Sequence, residues 1–126
     1  MADRTQNDMW QDKADEEICE VLRRASASKA KMEFSIASGS ISDMVAKTQA
    51  GIELTRTLDK FWRDSGFSYS LAATSAIATA RDAFGAKVSF FDAEGSEIPP
   101  SMRERVLNKN RHQRVPINAT SILIEF

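Results

Sequence analysis

The segment that most limits the possible folds is the front of the chain, where apolar residues recur at three- and four-residue spacing. This spacing puts them on one stripe of a helix that we predict from about Asn7 to Ser28. Acidic residues crowd its first half and basic residues its second half, which complements both ends of the helix dipole. The stripe consists of Trp10, Ala14, Ile18, Val21, Leu22 and Ala25.

A strand and a second helix are predicted next. Met32, Phe34 and Ile36 alternate with polar residues, which is the pattern of a half-buried strand, and Gly39 ends it. Ser40 and Asp43 have the spacing of a helix capping box. We therefore predict a long amphipathic helix over residues 41–62, ending by Gly66. A close approach to a neighbouring element would justify Gly51 inside it, although chance is an alternative.

The second half of the chain alternates between strand and helix patterns. We predict a short strand over 67–71, a helix to about Phe84, a strand over 88–91, a short helix over 101–109 and a terminal strand over 121–126. The 126 residues suit one domain, with residues 1–7 frayed. The prediction is an α+β fold in which three to four helices pack on a small three- to four-stranded sheet. Strand pairing stays open.

The composition disfavours most enzyme classes. The chain has one cysteine, Cys19, and one histidine, His112, and this excludes the usual zinc sites. His112 lies between Arg111 and Arg114 and has no nearby carboxylate to orient it as a catalytic base. None of the five glycines has the spacing of a phosphate-binding loop. We expect no catalytic residue, no metal and no cofactor.

One enzymatic alternative stays open. Asp92, Glu94 and Glu97 cluster in a predicted turn and are of the type that holds Mg²⁺. They lack the spacing of a specific calcium or magnesium loop. A small carboxylate- or metal-dependent enzyme is therefore one hypothesis, which we rank below the two binding functions described next.

The densest positive tract of the sequence is a candidate nucleic-acid contact. Side chains of these types bind phosphate and sugar groups without reading sequence. The alternative is a solvated face that balances the acidic front of a chain whose net charge is only −1. The candidate residues are Arg103, Arg105, Lys109, Arg111, His112 and Arg114.

The first helix is a candidate partner surface. Its acidic front and basic rear are self-complementary when two copies lie antiparallel, so we predict a homodimer. Its interface would use Trp10, Ile18, Val21 and Leu22. Alternatively, the chain is a small regulator or inhibitor that binds a different protein through this helix.

The chain as a whole resembles the small packaging accessory protein in the polymerase core of segmented double-stranded RNA bacteriophages. The likeness rests on the length, the opening residues 1–4, the layout of helix then sheet, and the basic tract over 103–114. It implies a non-enzymatic assembly or packaging factor that dimerises and contacts a viral polymerase, a capsid shell or RNA. The acidic first twenty residues do not resemble a signal peptide. We therefore expect a cytoplasmic or virion location, and neither secretion nor a membrane partner.

Overall fold

The computed structural model describes residues 6–65, 69–99 and 115–126, of which 6–14 and 62–65 are described as backbone only. These residues form an α+β fold of three helices and a four-stranded antiparallel sheet. In chain order the elements are α1 (Gln6–Ser28), β1 (Lys31–Ala37), β2 (Ser40–Ala46), α2 (Gln49–Ser65), α3 (Tyr69–Phe84), β3 (Lys87–Phe91) and β4 (Ser121–Glu125).

The strand order of the sheet is β2-β1-β4-β3. β4 lies between β1 and β3, so that Ile122 pairs with both Phe34 and Phe90. All three side chains are fully buried. They form a continuous apolar row across the centre of the sheet, which is the cross-strand arrangement that stabilises a sheet most directly.

The helices pack on the sheet and on one another. α1 packs mainly on α2, and α2 contacts β1 and β2. α3 contacts both edge strands of the sheet, β2 and β3. Its buried face is made mostly of alanines, among them Ala72, Ala73, Ala76 and Ala80, and these small side chains allow a close approach to neighbouring elements.

Most of the predicted elements are confirmed within the described residues. α1, β1, β3 and β4 match the predicted segments to within one residue at their ends, and α3 ends at Phe84 as predicted. The expected reason for Gly51 is also found. A Cβ atom there would lie 3.2 Å from the Phe34 ring and 3.3 Å from the Ala46 Cβ, so that glycine permits the close approach of α2 to β1 and β2.

The prediction for residues 40–48 was wrong. A strand, β2, occupies Ser40–Ala46, and α2 begins only at Gln49. Ser38 and Gly39 both have positive φ angles, 34° and 78°, and join β1 to β2 in a two-residue hairpin turn. The helix cap is Thr48 rather than Ser40, because the Thr48 hydroxyl accepts the N–H of Gly51 at 3.2 Å.

A second correction concerns the predicted strand over 67–71. Residues 69–71 belong to the first turn of α3, while residues 67 and 68 lie outside the described residues. The local alternation of Tyr69 and Leu71 with serine did not decide the structure, because the alanine-rich segment that follows favours helix and extends toward the N-terminus. The predicted helix over 101–109 also lies outside the described residues.

Candidate functional site

An open groove of about 450 Å³ runs along β2, which is an edge strand of the sheet. Residues 42–46 of β2 form one wall. The other wall comes from α2, through Ile52, Thr55 and Asp59, and from Tyr69 at the start of α3. A groove of this size, walled by a strand and a helix, can hold an extended segment of a partner chain.

The β2 wall is shaped by an irregularity in its pairing with β1. Ala37 pairs with Ser40, but Ser35 pairs with Val45, so that β2 carries extra residues between these two pairs. This bulge turns both Ile41 and Met44 into the core although they are three positions apart. Residues 42 and 43 are pushed outward and are exposed. The carboxylate of Asp43 therefore lies at the rim of the groove.

The α2 wall follows from helical spacing. Ile52, Thr55 and Asp59 are three and four residues apart and so share one side of the helix. The opposite side of α2 is buried in the core, through Leu54, Leu58 and Phe61. The groove side is only partly buried, and the Thr55 hydroxyl donates to the Ile52 carbonyl at 3.0 Å within the helix.

The groove is acidic. The pKa of Tyr69 is raised from 10.0 to about 12, chiefly by burial of the phenol and also by the negative charges of Asp59 and Asp43. At neutral pH the phenol is thus protonated and able to donate a hydrogen bond. Among the described residues, those that line the groove include two carboxylates and no lysine, arginine or histidine. The arrangement favours cationic groups and N–H donors.

Val45 is the apolar feature of the same edge. Its side chain is 63% exposed, one of the three exposed large hydrophobic residues among those described. It lies between Asp43 and Lys47, both also exposed. Bulges and charged residues are the features with which natural sheets protect an edge strand, and Val45 is the apolar side chain left exposed between them.

The predicted interface residues of α1 lie elsewhere. Ile18, Val21 and Leu22 are at most 5% exposed and belong to the core of this chain. Trp10 lies in α1, but its side chain is outside the described residues. The exposed side of α1 between residues 15 and 28 is instead polar, with Glu20 and Arg23 paired to each other. The apolar periodicity of α1 predicts that these residues are buried, and they are buried within the core of the same chain.

Of the other candidate sites predicted from the sequence, the structure describes the carboxylate cluster but not the basic tract. The basic tract, Arg103, Arg105, Lys109, Arg111, His112 and Arg114, lies outside the described residues. Asp92 is described, and its Oδ1 atom accepts the N–H groups of Glu94 at 3.0 Å and Ser96 at 2.9 Å. That carboxylate therefore orders its own turn. Over residues 6–65, 69–99 and 115–126, no group of three histidine, cysteine, aspartate or glutamate residues is placed to hold a metal.

Sequence reasoning missed the groove, because it assigned residues 41–48 to a helix. Two local signals pointed the other way: the Ser38-Gly39 dipeptide, which is typical of a turn, and Thr48 ahead of an amphipathic stretch. No local sequence pattern predicts that Asp43 and Asp59 act on Tyr69, because the three residues belong to different elements.

No protein-family model, no curated protein and no solved structure matches this chain. Within the described part of the chain, none of the helices combines the length and the apolar character needed to cross a bilayer.

Proposed function

We propose that the chain is a non-enzymatic assembly module that acts inside a larger complex and binds a protein partner along the groove at β2. The observation that carries the proposal is the edge of β2, which pairs with β1 alone among the described strands and has a groove beside it. Strand addition of this kind obtains affinity from main-chain hydrogen bonds and specificity from alternate side chains.

The side chains that line the groove indicate which residues a partner segment should carry. Asp43 and Asp59 favour a segment that carries a lysine or an arginine, and Val45 favours an apolar residue beside it. Opposite charges across a strand pair contribute about 0.2–1 kcal/mol each. The groove therefore suits a short extended segment with one basic and one apolar side chain.

RNA contact is a second part of the proposal. The observation that favours it is the density of positive charge over residues 103–114, with acidic residues limited to Glu104. The resemblance to packaging accessory proteins of double-stranded RNA bacteriophages favours RNA over DNA and a viral polymerase or capsid as the surrounding complex. In this reading the basic tract binds phosphates while the β2 groove joins the chain to its protein partner.

A photo-reactive amino acid placed at Val45 tests the protein-binding part. It should crosslink the partner during expression in the native setting, and the crosslinked chain is then identified by mass spectrometry. The matched control places the same amino acid at Ile117, which is 87% exposed and is not among the residues that line the groove. Equal crosslinking from both positions, or none from Val45, would refute a binding site at β2.

Titration with duplex and single-stranded RNA at two salt concentrations tests the second part. Binding should weaken as salt rises, because lysine and arginine contacts release counterions from phosphate. The double variant Arg111→Ala with Arg114→Ala should lower the steepness of that salt dependence by about two, one for each lost contact. RNA binding that is insensitive to salt and to this variant, or no binding, contradicts the proposal.

A further inference from the structure

The two edges of the sheet differ. Outside β3, the chain turns back over residues 92–96, and the N–H of Ile98 donates to the carbonyl of Phe90 at 2.8 Å. That edge is thus partly covered by the chain itself. Outside β2, the described residues place no strand. β2 is therefore the edge at which the sheet can grow.

The direction of the backbone groups on β2 is fixed by its pairing with β1. The N–H of Lys47 donates to the carbonyl of Glu33 at 2.8 Å, and Val45 is paired with Ser35. In an antiparallel ladder, alternate residues point their N–H and carbonyl groups to opposite sides. The carbonyl of Met44 and the N–H of Ala46 consequently point away from β1, toward an incoming strand.

We propose that the partner on this edge is β2 of a second copy of the chain, paired antiparallel about a two-fold axis at Val45. The proposal rests on the proposed function in that it takes the β2 edge as the binding site. In this register, the Ala46 N–H of each copy donates to the Met44 carbonyl of the other. The two Val45 side chains lie opposite each other in a non-hydrogen-bonded pair, where side chains come closest.

Charge selects the same register. With Val45 opposite its own copy, Asp43 of each chain lies opposite Lys47 of the other, which gives two symmetry-related ion pairs. Sliding the strands by two residues in either direction places Val45 opposite Asp43 or Lys47 instead and removes both pairs. Lys47 is available for this, because its contact with Glu33 in the same chain is 3.8 Å long and largely exposed.

The same pairing accounts for two other features of the edge. It covers Val45, which is otherwise 63% exposed. It also joins two four-stranded sheets into one sheet of eight strands, which removes the free β2 edge of both copies. A homodimer was predicted from the sequence, but the surface inferred here is β2 and not α1.

Charge reversal tests the register in solution. Asp43→Lys and Lys47→Asp each replace both ion pairs with like charges, so either variant alone should dimerise at least roughly tenfold more weakly than the native protein. Mixing the two variants restores opposite charges at both positions and should give a heterodimer. Native mass spectrometry of the separate and mixed samples, over a concentration series, distinguishes these species by mass.

Controls separate the register from general effects of charge and folding. Glu94→Lys, in the exposed turn after β3, should dimerise like the native protein, and circular dichroism should show every variant folded. A native protein that stays monomeric throughout the series overturns the inference, as do dimers that neither single variant weakens. If the purified chain is monomeric while Val45 crosslinks a different protein, the proposed function stands and this inference alone fails.

Discussion

The hydroxyl oxygen of Thr48 accepts a hydrogen bond from the backbone N–H of Glu33 at 3.1 Å, although the two residues lie fifteen positions apart. The same oxygen accepts the N–H of Gly51 in the first turn of α2. One side chain thus both caps a helix and extends the ladder between β1 and β2. It fixes the start of α2, and with it the helical wall of the groove, relative to the sheet.

Replacing Thr48 with valine should lower the free energy of unfolding by about 1–3 kcal/mol, because it removes a helix cap and leaves the Glu33 N–H without its acceptor. Thr48→Ser keeps the hydroxyl and should stay close to the native value. Chemical denaturation of both variants checks the expectation. Equal stabilities for the valine and serine variants would show that the shared hydrogen bond has no net effect.

The hairpin turn offers a second test. Gly39 has a φ of +78°, and a Cβ there would lie 2.8 Å from the carbonyl oxygen of Ile117 and 2.9 Å from its Cα. Gly39→Ala should therefore cost more than the roughly 1–2 kcal/mol of left-handed strain alone. Gly95→Ala is the matched control, because Gly95 has a φ of +80° and open space around its Cβ position. Thermal unfolding should rank Gly39→Ala below Gly95→Ala, and the reverse order contradicts the clash.

The groove can be observed through its phenol, because Tyr69 is the single tyrosine of the chain. Its pKa is raised to about 12 in the folded protein, so the folded state holds the phenol proton more tightly than the unfolded state does. The stability that this contributes is fully present below about pH 10 and is lost as the pH rises from about 10 to about 12. An ultraviolet titration of tyrosinate absorbance measures the pKa directly.

Asp59→Asn should move that titration to lower pH, since it removes one of the two negative charges that raise the pKa of Tyr69. Part of the elevation should remain, because burial is its largest cause. Glu94→Gln, which removes a carboxylate that is not among those causes, serves as the control. A tyrosine pKa near 10.0 in the native protein would place Tyr69 outside the groove.

Leu22 distinguishes the core of α1 from a partner surface. Its side chain is fully buried, so Leu22→Ala should lower the free energy of unfolding by about 2–5 kcal/mol at every protein concentration. Val45→Ala, at an exposed position, should change the stability of the monomer by no more than about 0.5 kcal/mol. A Leu22→Ala variant that weakens association while leaving the monomer as stable as before would instead support the predicted α1 interface.

The spacing of apolar residues predicted those helices and strands in which burial alternates regularly along the chain. The apolar stripe of α1 is buried over its described part, from Ile18 to Ala25, and β1 alternates because one of its faces is buried. β2 was misassigned because its bulge buries Ile41 and Met44 at a spacing of three, which is the signature of a helix. The turn at Gly39 and the cap at Thr48 were visible locally, but the bulge depends on pairing with β1.

The candidate site was less accessible to sequence reasoning than the fold. The strand order β2-β1-β4-β3 is decided by contacts between distant segments, and it is this order that leaves β2 at an edge of the sheet. Asp43, Asp59 and Tyr69 meet because α2 and α3 both pack against β2. No short stretch of sequence contains all three residues, and so the groove could be identified only from the structure.

The central position of β4 has a consequence for synthesis. β1 and β3 do not pair with each other, and the strand that joins them is made after both. Before residues 121–125 have been synthesised, β1 and β3 each lack the strand that pairs with them in the finished sheet. The helices can form early, but the sheet closes in a single late step. Until that step the unpaired edges of β1 and β3 are sites at which the growing chain can aggregate.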